Sequence, residues 1–338
     1  MWTEEKLDSL LTTPSEKLVE DVKNISGDIL VLGAGGKMGP SLSLLAKNAL
    51  NVAGSTSKVI AVSRFSDPFA VKLLEKNQVE AISCELMDDA QLQKLPDAEN
   101  IIYMAGRKFG TSGQEHLTWA MNTWLPARVA DRYKHSRIVV FSSGNIYPQC
   151  KPDSGGATED TKPDPVGEYA MSTLGRERMF EYAAHTFNTK VAMFRLNYAV
   201  DLRYGVLFDI AQKIMSGIPV SLNIAYFNCI WQGDANEAAI RCLMHTDKNV
   251  FKLNVTGPEI VSVKEAALKL GKLFNKDPEF EGEPGDSALL SNASKMLSMF
   301  GHPSVPLEIL IEWQAEWLQS GGRNLGKPTH FEERKGQY

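Results

Sequence analysis

The chain has 338 residues, 43% of them hydrophobic and 23% charged, with a net charge of −5. This is a globular composition, long enough for one large domain or two lobes on a shared core. The acidic balance argues against nucleic-acid or anionic-membrane partners, which need a basic footprint, and no apolar run reaches the roughly 18 residues of a transmembrane helix.

The start, Met1-Trp2-Thr3-Glu4-Glu5-Lys6, lacks the basic and apolar stretches of a secretory signal, so a cytoplasmic location is expected. Residues 1–26 read as a helical extension. Thr13-Pro14-Ser15-Glu16 opens a helix, and Leu18, Val19, Val22 and Ile25 recur at helical spacing, so this helix is expected to pack on the body. From residue 28, apolar strands alternate with helices. The strands are Asp28 to Gly33, Val59 to Val62, Ala81 to Cys84, Ile101 to Ala105, Ile138 to Phe141 and Val191 to Phe194. Helices are expected over 113–134 and 166–187. Continuous apolar strands of this kind belong to a parallel sheet covered on both faces, so the fold class is α/β, a doubly wound Rossmann sheet over residues 27–198. Residues 199–338 read mainly as a smaller substrate lobe. It holds a strand at Phe251 to Val255, helices at Ser262 to Phe274 and Leu307 to Leu318, and a polar, extended tail from Gly321. The four cysteines form no C-x-x-C pair and the six histidines are scattered, so no metal is expected.

The first strand ends in Gly33-Ala34-Gly35-Gly36-Lys37-Met38-Gly39, a G-x-x-G-x-x-G turn leading into a helix. Glycines there permit a tight turn and let backbone N–H groups approach a pyrophosphate at the helix N-terminus. That placement points to a nicotinamide dinucleotide. At the end of the second strand no acid awaits a ribose 2′-hydroxyl. Ser63 and Arg64 stand there, and Arg64 can pair with a 2′-phosphate, so NADP is preferred over NAD. Glu85 and Leu86 after the third strand are assigned to the same cofactor.

The fifth strand runs into Phe141-Ser142-Ser143-Gly144-Asn145-Ile146-Tyr147-Pro148, and later comes Tyr169-Ala170-Met171-Ser172-Thr173. With the glycine turn, these segments resemble the extended short-chain dehydrogenase/reductase superfamily, of the nucleotide-sugar epimerase and dehydratase type, over roughly residues 28–320. The resemblance implies that Ser143 polarises a carbonyl oxygen, Tyr169 exchanges the proton and Asn122 holds the local helix and a water. Glu177 matches the family's glutamate, and Met104-Ala105-Gly106 its alanine-glycine step beside the cofactor. It also implies a homodimer built on the helices at 113–134 and 166–187.

Thr173 departs from the pattern, because the family has lysine there. A free tyrosine has a pKa of about 10, so only ~0.1% is ionised at pH 7, and a nearby ammonium is what makes it usable. Three readings stay open. Tyr169 acts with a displaced cation, for which Arg176, Arg107 and Lys108 are available. Another residue does the acid–base work. Or the chain has lost catalysis and binds the dinucleotide as a regulator.

For the substrate, Ser143, Asn145, Asn197, Tyr198 and Arg203 are expected near the carboxyl ends of the strands. Tyr226, Asn228 and Trp231 are added as stacking or hydrogen-bonding groups. Aromatics beside amides and an arginine suit a sugar or sugar acid, and simple packing of the lobe is the alternative.

Overall fold

Ile29–Leu32 (β1) is four apolar residues with no exposed position, and such a strand needs cover on both faces. In the computed structural model, which describes residues 2–110 and 112–336, six further strands join it in one parallel sheet. They are Val59–Ser63 (β2), Glu80–Ser83 (β3), Asn100–Tyr103 (β4), Arg137–Ser143 (β5), Lys190–Leu196 (β6) and Phe251–Val255 (β7). The order across the sheet is β7-β6-β5-β4-β1-β2-β3. Chain direction through the sheet therefore switches between β1 and β4, which opens a crevice at their carboxyl ends. The seventh strand comes from beyond residue 198, so the lobe lends an edge to the sheet.

The helices are Glu4–Thr12 (α1), Glu16–Val22 (α2), Gly39–Val52 (α3), Pro68–Lys76 (α4), Asp89–Lys94 (α5), Glu115–Trp119 (α6), Leu125–Arg132 (α7), Gly167–Phe187 (α8), Val206–Ser216 (α9), Gln232–Arg241 (α10), Val263–Phe274 (α11), Ser294–Phe300 (α12) and Leu307–Gln319 (α13). Side chains alternate across a strand. Ile29 and Val31 accordingly join one core with Leu42, Leu45 and Ala49 of α3 and Leu18 and Val22 of α2. Leu30 and Leu32 join the opposite core with Leu125 and Val129 of α7 and Phe180 of α8. A third core fills the lobe around Phe208, Phe227, Leu270 and Trp317, and it takes in Trp2, Leu7 and Leu11 from the N-terminal segment. The helix expected over 113–134 is continuous in path but broken in winding. Ala120–Trp124 forms a π turn between α6 and α7, with Asn122 inside it. No helix among the described residues is long and apolar enough to cross a membrane.

Behind the strand ends lies a buried polar chain. Glu177 of α8 is 0% exposed and accepts from Arg195 of β6 at 2.9 and 2.8 Å. Ser142 donates to the same carboxylate at 2.5 Å. Arg195 also donates to the Tyr147 hydroxyl at 2.6 Å, which donates to Asn254 of β7 at 2.8 Å. Removing one partner of a buried ion pair strands the other charge and costs about 3–5 kcal/mol. Glu177→Gln or Arg195→Met is therefore expected to lower the urea midpoint by that equivalent. The double change Glu177→Gln with Arg195→Met should cost less than the sum of the single changes. Additive losses in urea melts would sink this view of the pair.

Candidate active site

The glycine turn takes its shape from what surrounds it. Gly33 has φ +93°, and a Cβ on it would come 2.5 Å from the Ala105 nitrogen. A Cβ on Gly39 would run into the Ala34 carbonyl, so the start of α3 lies tight against the turn. Gly36 differs. A Cβ there would meet only the Gly33 oxygen, at 3.5 Å, and otherwise open space. α3 begins directly afterwards with no side-chain cap on its first N–H groups. An open glycine cradle facing uncapped helix N–H donors fits a pyrophosphate.

Two cavities meet at this cradle and share Gly33, Gly36, Met104 and Gly106. The smaller, about 300 Å³, extends over β2 and β3 and is lined further by Gly35, Ser63, Arg64, Glu85, Leu86 and Ala105. The larger, about 510 Å³, extends over β5 and β6 and is lined by Lys37, Met38 and Gly39 on one side and Ser143, Asn145 and Tyr169 on the other. Every residue assigned to the cofactor thus borders one continuous trough. The donor set fits a dinucleotide laid along it: an adenosine half over Ser63, the phosphates at Gly36 and a nicotinamide half in the larger cavity. Arg64 is not poised alone for a phosphate. Its exposed guanidinium lies 3.4 Å from Glu85.

Ser143 is buried and caps the turn after β5, donating to Asn145 Oδ1 at 2.9 Å and accepting from the Asn145 amide at 3.1 Å. Tyr169 stands opposite on the first turn of α8. Asn122 does not line the trough. Its carboxamide accepts from the Arg107 amide at 2.8 Å, donates to the Arg107 carbonyl at 2.8 Å and donates to Ser172 at 3.0 Å. It therefore ties the loop after β4 to α8. Thr173 also does not line the trough. It is fully buried and its hydroxyl has no hydrogen-bond partner among the described residues.

The substrate assignments divide. Asn145, Asn197 and Tyr198 border the larger cavity. Arg203, expected at the cleft, is turned away into an ion cluster. It contacts Asp201 at 2.8 Å, Glu4 at 3.0 Å and Asp8 at 2.9 Å, because α1 folds back beneath the lobe. Trp231 is also withdrawn, buried edge-on against Trp313 with centroids 5.8 Å apart. Asn228 lies one layer behind, accepting from Asn197 at 2.6 Å and donating to the Ser291 carbonyl at 2.6 Å. Tyr226 lies in a short strand pairing with Val261 and Ser262.

The sequence reading missed a wall. Residues 322–336 fold back toward the trough, placing Lys327 and Thr329 in its lining and burying Phe331. Lys37 donates to the Lys327 carbonyl at 3.0 Å and Lys108 to the Thr329 carbonyl at 3.4 Å. Both ammonium groups lie 5.5 Å from the Phe109 ring centroid. Burial pushes Lys37 down to about 8, opposed by Asp209 and aided by the charge of Lys327. Burial, then the charge of Lys37, brings Lys108 to about 8 as well. Phe331, a large apolar residue in a polar tail, was the sequence signal of this docking.

Because the Gly36 Cβ would point into open space, Gly36→Ala is expected to leave the thermal midpoint of the free protein within about 2 °C. It should weaken dinucleotide binding at least tenfold, about 1.4 kcal/mol. Calorimetry showing unchanged affinity would remove the phosphates from the cradle.

The family profile for the NAD dependent epimerase/dehydratase family matches residues 29–202. Among solved structures, UDP-glucuronic acid 4-epimerase from Bacillus cereus in complex with NAD is 16% identical, covers 87% of this chain and 99% of its own, and has a TM-score of 0.69. UDP-glucose 4-epimerase from Thermus thermophilus in complex with NAD is 18% identical, covers 86% and 99%, and has a TM-score of 0.70. Pal from Bacillus thuringiensis is 14% identical, covers 87% and 99%, and has a TM-score of 0.72. At these identities the likeness is one of fold. A comparison with curated proteins finds no match. The profile spans the glycine turn, Ser143 and Tyr169, the same segments that build the trough, and so the chain belongs to the NAD dependent epimerase/dehydratase family.

Proposed function

We propose that the protein is an NAD-dependent enzyme that oxidises, reduces or epimerises a hydroxyl-bearing carbon of a sugar or sugar-acid substrate. The observation that carries this is the convergence of Ser143 and Tyr169 on the larger cavity, at the end of the trough away from β2 and β3. When bound, a nicotinamide ring supplies the two-electron exchange with the substrate carbon. The chain's own residues do the rest. Ser143 donates to the carbonyl oxygen and Tyr169 takes or returns the hydroxyl proton, while Asn145, Asn197 and Tyr198 orient the sugar. The lining of the larger cavity carries Lys37, Lys108 and Lys327 and no carboxylate among the described residues, which suits an acidic sugar.

The sequence favoured NADP through Ser63 and Arg64, and we infer NAD instead. Glu85 lies in the same lining and engages Arg64, so a 2′-phosphate would meet a carboxylate where a ribose hydroxyl would find an acceptor. The family's own description names NAD, and the Bacillus cereus and Thermus thermophilus structures are NAD complexes. We also infer a homodimer. Leu117, Trp119, Trp124, Met171 and Tyr182 are left exposed on α6, the π turn and α8, three elements that pack against one another.

Calorimetry on the purified protein should show NAD binding at least tenfold more tightly than NADP, with Arg64→Ala changing NAD affinity little. Tighter NADP binding would reverse the cofactor assignment. With NAD bound, Tyr169→Phe should lose about 10²–10⁴ of turnover on UDP-glucuronate or free hexuronates, followed by NMR, while NAD affinity holds. Wild-type protein that binds NAD and turns over no sugar would favour a regulatory dinucleotide-binding role. Sedimentation equilibrium should give twice the 37.3 kDa chain mass, and Trp124→Asp should shift the protein toward monomer. A monomeric wild type would overturn the dimer.

A further inference from the structure

From Gly321 to Gly336 the chain forms no helix or strand, yet it is fastened along its length. Thr329 donates to Asp209 of α9 from its amide at 2.8 Å and from its hydroxyl at 2.5 Å. Phe331 is buried in the core of the lobe, its ring centroid 6.4 Å from that of Phe227. Arg334 bridges the segment after β5 to the lobe. It donates to the Gln149 side chain at 2.5 Å, to the Asn223 carbonyl at 2.7 Å and to the Ser287 hydroxyl at 2.9 Å. Gly336 lies against the start of α8, where a Cβ on it would run into the Val166 carbonyl.

The tail also divides the space it crosses. Lys327 and Thr329 face the larger cavity, while Pro328 and His330 face a separate pocket of about 260 Å³ on α9. Where Glu333 and Arg334 meet Asn145 and Leu289, the gap is about 20 Å³, room for about one water. The larger cavity itself is about 510 Å³. Pockets for a single ligand run from about 300 to 1,000 Å³, and this one has to take the nicotinamide half as well as the substrate.

We propose that residues 327–336 are the specificity element of the site: they seal the cleft between sheet and lobe, so that the substrate is a compact sugar acid of hexuronate size carrying no nucleotide. This rests on the reading of the trough as a site for NAD and a sugar. A nucleoside diphosphate attached to the sugar would find the space beside Asn145 taken. It would have to displace Arg334 from its acceptors and Phe331 from the lobe core. Arg203, the arginine nearest in sequence to the cleft residues Asn197 and Tyr198, is already spent on Asp201, Glu4 and Asp8. A hexuronate needs none of these changes. Its ring fits beside Ser143 and Tyr169, and its carboxylate meets a wall carrying Lys37, Lys108 and Lys327. Lys37 and Lys108 are tied to tail carbonyls, so the segment that limits the length of the substrate also sets the cationic end of the cavity. Such a wall selects by rejection, whatever the fit of the sugar itself.

The test is calorimetry on the NAD-loaded protein, with D-glucuronate, D-galacturonate, UDP-glucuronate and UDP as probes. Wild type should bind at least one hexuronate, at least tenfold more tightly than UDP-glucuronate, and give no heat with UDP. Phe331→Ala and Arg334→Ala each loosen the tail, and neither residue lines the larger cavity. Each change should narrow the preference for the hexuronate at least tenfold, by weakening the hexuronate, admitting UDP-glucuronate, or both. A merely structural tail would move the thermal midpoint and leave that ratio alone. Thermal melts check folding, and either variant suffices if the other is unstable. Wild-type protein that binds UDP-glucuronate more tightly than both hexuronates overturns the proposal, as does a preference that neither variant changes. Failure of the reading beneath it looks different. NAD would then give no heat, or the NAD-loaded protein would give none with any of the probes, and the proposal would fall with that reading.

Discussion

The ion pair between Glu177 and Arg195 is the constraint on which the arrangement at the strand ends depends. Both side chains are almost wholly removed from water, so each charge is tolerable only because the other is in place. Burial alone would pull the Arg195 guanidinium down, and Glu177 with its hydrogen bonds holds it charged, above the ordinary arginine value. The pair joins α8 to β6, and Ser142, Tyr147 and Asn254 extend it to β5, the turn beyond β5 and β7. Ser143 sits one residue past Ser142, and Tyr169 two turns before Glu177 on the same helix. Fixing Glu177 therefore fixes the separation of the two groups that face each other across the larger cavity.

A second clamp works from the other side. Asn122 sits in a π turn, a winding that costs helical regularity and turns its carboxamide toward the loop after β4. Its bonds to both backbone groups of Arg107, to Ser172 and to Arg176 set where the next residue, Lys108, enters the cleft. The C-terminal tail closes the same wall. Its carbonyls receive Lys37 and Lys108, Thr329 donates twice to Asp209 of α9, and Gly336 packs on Gly167 at the start of α8. The two ends of the chain do different work. α1 neutralises Arg203 and helps core the lobe, while the tail supplies a lining and two hydrogen-bond acceptors.

Much of this was legible in the sequence because it is local. A parallel strand buried on both faces must be continuously apolar, and such runs separated by helices stand out along the chain, with the half-exposed edge strand Glu80–Ser83 the weakest of them. The glycine turn is legible for the same reason. Gly33 and Gly39 each answer a steric demand set within a few residues or by the adjoining strand, while Gly36 leaves the cradle open. Ser143 and Tyr169 were identified through the resemblance of their segments to the short-chain dehydrogenase/reductase superfamily. The helix over 113–134 was found, but its π turn was not, since no single residue type enforces that winding.

What the sequence alone determined is therefore the sheet, the cradle and the two facing hydroxyl groups, all set by periodicity and by the steric needs of short segments. Only the tertiary structure decided the fate of the charges. Arg203 was a reasonable substrate ligand until Glu4 and Asp8, almost two hundred residues earlier, folded against it. Trp231 was a reasonable stacking face until Trp313 covered it. Arg176 and Lys108 were equal candidates until Asn122 took one and left the other at the cleft. A charged or aromatic side chain takes its role from the partners that reach it, and in this chain those partners come from segments brought together only by folding.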